Sequence, residues 1–156
     1  MRPLCRAQGL APLRAERFIV SDYTKPLPKL TKLNRPYFEG ARQGELRLQR
    51  CDACGHHWFP PSTSCPSCLS PEYQWVRVSG RGRVWSWIVM HQLYFDAFRQ
   101  DLPYNVAFIK LDEGPFLMST VVGVPNDAIR CELPVEVTFE DATDEIAVHR
   151  FRPVEA

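Results

Sequence analysis

Cys51-Asp52-Ala53-Cys54-Gly55-His56-His57-Trp58-Phe59-Pro60, followed shortly by Cys65-Pro66-Ser67-Cys68, is the stretch that decides how this chain is read. Two C-x-x-C pairs stand ten residues apart. Two residues between cysteines let one tight turn aim both sulfurs at a common point, and tetrahedral zinc takes four such sulfurs at about 2.3 Å. Gly55 directly after the first pair suits a turn that needs positive φ. Leu46 and Leu48 alternate before the first knuckle and Trp58-Phe59 follow it, the pattern of short paired strands. The segment reads as a zinc ribbon with Cys51, Cys54, Cys65 and Cys68 as ligands. Four thiolates close the shell and leave no place for water, so the Zn2+ is expected to be structural. Disulfides or a redox dithiol are the competing readings. A disulfide framework belongs to secreted chains, and a thioredoxin-type pair opens a helix in a βαβ unit, which this segment is not. His56 and His57 read as surface or packing residues beside a ligand set that is already complete. Cys5 and Cys131 read as small hydrophobes.

Working outward from the ribbon, residues 1–29 read as a flexible tail and arm. Residues 1–17 are rich in arginine, with no apolar core of the length a secretory leader needs, and a cytoplasmic location is expected. Pro26 and Pro28 hold the following stretch extended, as an arm that can lie along another surface. Residues 30–45 read as an amphipathic helix. Leu30, Leu33, Tyr37 and Ala41 recur at helical spacing, Asn34 can cap, Pro36 suits a first turn and Gly44 a stop.

On the other side, residues 76–156 read as all-β. Val76–Val78, Val84–Leu93, Asn105–Leu111, Phe116–Val124, Val135–Phe139 and Ala147–Phe151 are β-branched, aromatic or alternating runs. Ser79-Gly80-Arg81-Gly82 reads as a flexible turn and Asp112-Glu113-Gly114-Pro115 as a hairpin. The five runs from Val84 onward, with no long helix, point to a small barrel. Trp85, Trp87, Tyr94, Phe95 and Phe98 crowd one stretch behind Arg81 and Arg83. Such aromatics are either core or a concave face for a ligand carrying an adenine and phosphates.

Composition narrows the function. Of 156 residues, 45% are hydrophobic and 24% charged, which excludes collagen-like, disordered and coiled-coil chains. No run approaches the ~20 apolar residues of a membrane-spanning helix, so no membrane role is expected. The net charge of +1 hides a division: +6 over residues 1–36, −1 over 37–75 and −4 over 76–156. Nucleic-acid binding draws on a basic groove, and the β-rich half is anionic, so nucleic acid is not expected as a partner. A single-strand binder remains the alternative reading. An independent enzyme has no G-x-S-x-G or H-E-x-x-H motif to support it.

Taken in order, several short motifs form a set. They are Tyr37-Phe38, Gly44-Glu45-Leu46, Gln49-Arg50-Cys51, Cys54-Gly55, Phe59-Pro60-Pro61, Cys65-Pro66-Ser67-Cys68, Ser79-Gly80-Arg81-Gly82, Pro103-Tyr104, Leu111-Asp112-Glu113-Gly114, Pro134-Val135-Glu136-Val137 and Phe151-Arg152-Pro153. From about residue 30 to 153 the chain resembles the DUF35 family, in which a rubredoxin-like zinc ribbon precedes an OB-fold. The fold class is thus mainly β, a short N-terminal helix and ribbon followed by a five-stranded OB-fold barrel. The resemblance implies a non-catalytic accessory subunit that docks on a thiolase-like partner (thiolase, aldolase or synthase), with a hydratase-like protein as a further partner. It places such proteins in lipid, steroid or aromatic acyl-CoA metabolism and implies acyl-CoA binding. By position, the four cysteines are its metal ligands, and Arg81, Arg83, Trp85, Trp87, Tyr37 and Phe38 are candidates for ligand or partner contact. Two positions depart from the family pattern. Leu69 stands where Gly commonly follows the second knuckle, so that turn is expected to close differently. Glu132 stands where Gly is common, two residues before Pro134, and is expected to be exposed at a strand entry.

Overall fold

Side-chain bonding ahead of residue 35 sets where the helix begins. Asn34 occupies the N-cap of α1 (Arg35–Arg42), but its side chain serves the preceding turn: Oδ1 accepts from the Thr31 amide at 2.7 Å and Nδ2 donates to the Lys29 carbonyl at 3.0 Å. Pro36 falls in the first turn, where its missing N–H costs nothing. Leu30 and Leu33 therefore precede the helix, which is shorter than the expected 30–45 span. Gly44 ends it at φ +77°, its amide donating to the Ala41 carbonyl while the Glu45 amide reaches back to Gly40 at 2.8 Å. That pair of bonds is a Schellman stop.

The computed structural model describes residues 23–154 and the strand Phe18–Ile19. After α1 come β2 (Arg47–Cys51), β3 (His57–Trp58), β4 (Tyr73–Arg77), β5 (Arg81–Met90), β6 (Tyr104–Leu111), β7 (Phe116–Ser119), β8 (Pro134–Asp141) and β9 (Ala147–Pro153), with β1 (Phe18–Ile19) ahead of it. The chain is mostly β with one short helix among the described residues. β2 is the middle of a three-stranded antiparallel sheet, between β3 and β4. β4 crosses position 75/76, so Val76, which the alternation places in the barrel, completes the ribbon sheet opposite Leu48.

The remaining strands curl into an OB-like barrel. β5 pairs antiparallel with β6 and, at its start, with β8; β6 pairs with β7 and β8 with β9. A parallel bridge between Val121 and Phe151 brings the exit of β7 against β9. Alternation fills the inside: Val84, Ala107, Ile109, Leu117, Val135 and Phe151 have no exposed surface. Tyr37 and Ala41 of α1 and Leu46 and Leu48 at the start of the ribbon belong to the same apolar cluster. Each large side chain so buried contributes about 2 kcal/mol, which is what holds an eight-residue helix that would melt alone.

Arg81-Gly82, read as part of a flexible turn, instead opens β5. A Cβ on Gly82 would run into the Lys110 carbonyl oxygen and lie 3.1 Å from the Leu111 Cα, so only glycine lets β5 and β6 approach here. The arm lies along this barrel. β1 pairs parallel with the end of β8, Phe18 beside Glu140 and Ile19 beside Asp141, and Lys25 ion-pairs with Asp101 at 2.7 Å. For the rest of the tail, residues 1–17 and 20–22, the expected flexibility falls outside the described residues.

Candidate metal centre and exposed aromatic face

The two knuckles fold alike. The Cys51 amide donates to the His56 carbonyl and the Cys65 amide to the Ser70 carbonyl, each at 2.9 Å. Gly55 then donates to the Cys51 carbonyl at 3.0 Å and Leu69 to the Cys65 carbonyl at 2.9 Å. Gly55 has φ +74° and Leu69 has φ +63°. The second turn thus closes in the same way as the first, contrary to expectation, with a leucine carrying the left-handed conformation. Glu132, the other departure, is also left-handed at φ +63° and is exposed as expected.

This geometry gathers the sulfurs of Cys51, Cys54, Cys65 and Cys68 within 4.8 Å of one another. Cys51 and Cys68 lie 3.5 Å apart, Cys54 and Cys65 3.7 Å. A tetrahedron with 2.3 Å metal–sulfur legs has edges of about 3.8 Å, so the donor set fits zinc in number, chemistry and spacing. The protonation preferences point the same way. Burial disfavours a charge on Cys51, but amide and thiol hydrogen bonds outweigh it and bring its pKa down to about 7. The Ser70 amide favours the Cys68 thiolate, but the thiols of Cys51 and Cys54 push it up to about 12. The Cys51 thiolate is favoured while those of Cys54 and Cys68 are not, a conflict that a central dication removes. Cys65 and Trp58 are buried around this point with Tyr73 packed alongside, its ring 5.7 Å from that of Trp58. Gln49, which the sequence offers only as part of the Gln49-Arg50-Cys51 motif, is fully buried and clamps the loop between the knuckles, exchanging two 2.8 Å hydrogen bonds with the Ser62 backbone. No sequence signal marks it, because alternation on β2 groups it with Arg47 and Cys51 and not with Leu46 and Leu48.

The candidate contact residues scatter. Tyr37 is 3% exposed in the core, because its hydroxyl bonds His149 Nδ1 on β9 and its ring packs against Phe38 and Phe59. Phe38 is half-buried and lines a shallow pocket with Leu30, Arg35 and Glu145. Arg81 and Arg83 are exposed on β5. Trp85 and Trp87 face opposite ways despite their i, i+2 spacing. β5 carries a bulge: Val84 pairs with Ile109 and Ser86 with Phe108, leaving Trp85 as the extra residue. Before the bulge Gly82 and Val84 point inward; after it Trp87 packs on the core, and Trp85 is left 53% exposed. Trp85 packs edge-on against Phe116, centroids 5.6 Å apart. Tyr94 and Phe95 are exposed in the loop after β5, and Phe98 lies beneath the Lys25 ammonium at 5.4 Å.

His149 Nε2 lies 3.1 Å from the Met118 carbonyl oxygen, so Nε2 carries the proton and Nδ1 accepts from Tyr37. Burial holds this imidazole neutral, its pKa lowered to about 4.

Known proteins match along both halves. Residues 38–74 match a family profile described as the ChsH2 rubredoxin-like zinc ribbon domain, and residues 75–140 one described as the ChsH2 C-terminal OB-fold domain. A DUF35 domain-containing scaffold protein of Methanocaldococcus jannaschii is 31% identical over 113 residues, 68% of this chain and 79% of that one. The chain belongs to the DUF35 family. A solved structure described as the Ltp2-ChsH2(DUF35) aldolase superposes on this DUF35 chain with a TM-score of 0.72 at 37% identity, covering 81% of this chain and 98% of that one. A probable enoyl-CoA hydratase alpha subunit of Thermomonospora curvata is 37% identical over 129 residues, 83% of this chain. The DUF35 chain spans only 40% of that relative's length. Its rubredoxin-like ribbon, with four cysteines drawn together, is consistent with structural zinc. Among the described residues no helix is long and apolar enough to cross a membrane.

Proposed function

We propose that this chain is a non-catalytic, zinc-containing accessory subunit that docks on a thiolase-, aldolase- or hydratase-type acyl-CoA enzyme and helps to hold the acyl-CoA. Cys51, Cys54, Cys65 and Cys68 are its zinc ligands, and the metal serves to fix the ribbon. The observation that carries the reading is the family relationship over ribbon and barrel together, with relatives described as a scaffold, an aldolase assembly and a hydratase alpha subunit. The chemistry of the chain supports it. The four thiols are gathered as one closed donor set, and both nitrogens of His149 are engaged in hydrogen bonds to Tyr37 and the Met118 carbonyl.

The test is co-expression of the full chain with thiolase-, aldolase- and hydratase-type subunits of its own genome. The expected result is one co-purifying complex of fixed stoichiometry that turns over an acyl-CoA, with neither chain active alone. Turnover of acyl-CoA by the isolated chain contradicts the reading. So does salt-sensitive binding of single-stranded oligonucleotides without binding of any CoA ester.

A further inference from the structure

Five large apolar side chains stand together on the outer face of β5, β6 and β7, where a barrel strand ordinarily presents polar groups to water. Trp85 is 53% exposed, Ile88 59%, Phe108 41%, Phe116 40% and Met118 56%. They are contiguous. Met118 lies directly across from Phe108 in the β6–β7 register, Ile88 is diagonal to Phe108 across β5, and Phe116 touches the rings of Trp85 and Phe108. The bulge at Trp85 delivers the largest of these rings to the outside. Aromatic and Met side chains in one exposed patch are the composition of an interface core and not of a solvated sheet.

The charges beside the patch select its occupant. Arg83 and Lys110 are cross-strand neighbours on this face, two cations directly opposite each other. Such a pair opposes folding in the isolated chain. Lys110 lies over the rings of Trp85 and Phe116 at 5.2 and 5.9 Å, and Arg83 lies 3.4 Å from Glu132, both of those side chains being more than half exposed. Arg81 extends the row, opposite a Glu136 already held by Arg152 at 3.0 Å. A second copy of this chain would bring two rims of one sign together, so self-association is disfavoured. A polyanion would find only a short row of cations on a half-chain of net charge −4.

We propose that this outer face of β5–β6–β7 is the surface that docks on the acyl-CoA enzyme subunit, meeting an apolar patch flanked by carboxylates. The proposal rests on the function proposed above and assigns its interface. Burying the five side chains supplies the association energy, and partner carboxylates relieve the Arg83–Lys110 repulsion and steer the encounter.

The experiment uses the zinc-loaded full chain and the subunit recovered with it by co-expression. The Phe108→Glu/Met118→Lys variant alters exposed positions and sets opposite charges across the β6–β7 pair, so zinc content and melting temperature should be unchanged while affinity for that subunit falls by about tenfold or more. Lys110→Glu should slow association and flatten its dependence on salt. Amide hydrogen exchange gives a readout without substitution: β6 and β7 should become protected in the complex. Failure of the unaltered chain to join any such subunit contradicts the proposed function itself. Unchanged affinity of the double variant, with no new protection on β6 and β7, overturns the assignment alone. The assignment also falls if the free chain forms a dimer that Phe108→Glu abolishes, or if oligothymidylate binds this face and quenches Trp85.

Discussion

Leu69 is the most exposed large hydrophobic of the described chain, at 76%, and it holds a backbone conformation that costs a residue with a Cβ about 1 kcal/mol. Little burial is lost on removing its side chain. Leu69→Gly should therefore raise the stability of the zinc-loaded chain by about 1 kcal/mol, read from the midpoint of denaturant unfolding. An unchanged or lower midpoint would mean that the leucine contributes contacts that offset its strain. His149 provides a second test at this scale. Its pKa is about 4 in the folded chain against an ordinary 6.5, so the unfolded chain binds its proton first as pH falls. The stability that the neutral ring supplies is intact above pH ~6.5 and is lost between there and pH ~4, up to about 3 kcal/mol. His149→Asn should flatten that part of the pH–stability curve. A slope unaltered by the substitution would place the titration elsewhere.

Among the elements, β5 makes the sharpest demand on a single position. Gly82→Ala places a methyl against the Lys110 carbonyl and should cost more than about 2 kcal/mol by separating β5 from β6. A melting temperature equal to that of the parent would show that the strands can part there at no cost. This position also shows what could be read in the chain of letters and what could not. The ribbon was legible because C-x-x-C spacing is local: two residues between thiols dictate a turn whatever surrounds them. The barrel was legible as a count of alternating runs closed by Asp112–Pro115. The facing of Trp85 and Trp87 was not, because a bulge shifts the alternation without any residue type that announces it. The helix is shorter than its apolar spacing suggests because Asn34 spends its side chain on Thr31 and Lys29 and not on helix amides. Tyr37 stands among the contact candidates on its local pattern, but its partner, His149, lies 112 positions away, beyond the reach of any such pattern.

At the scale of the whole molecule, ribbon, helix and barrel are joined by a few specific links. Tyr37, His149 and the Met118 carbonyl form a chain of hydrogen bonds from α1 through β9 to β7, Arg42 ion-pairs with Asp141 at 3.0 Å, and the Val78 amide bonds the Leu46 carbonyl at 2.9 Å. Stripping zinc should unfold the ribbon, whose buried cluster of Cys51, Trp58 and Cys65 is small, and should expose Trp58. Cys54→Ser should bind less than one zinc per chain and lose the ribbon in the same way. Full zinc content and unchanged near-ultraviolet dichroism in that variant would contradict a four-cysteine site. If the chain acts by joining an acyl-CoA enzyme, as proposed, and not by chemistry of its own, activity belongs to the complex. The most direct measurement is acyl-CoA turnover by the purified chain, by the partner subunit and by their complex at equal concentration. Activity is expected in the complex and in neither separate chain; turnover by the isolated chain, or a partner whose activity and mass are unaffected by its presence, would show that the chain does not act in this way.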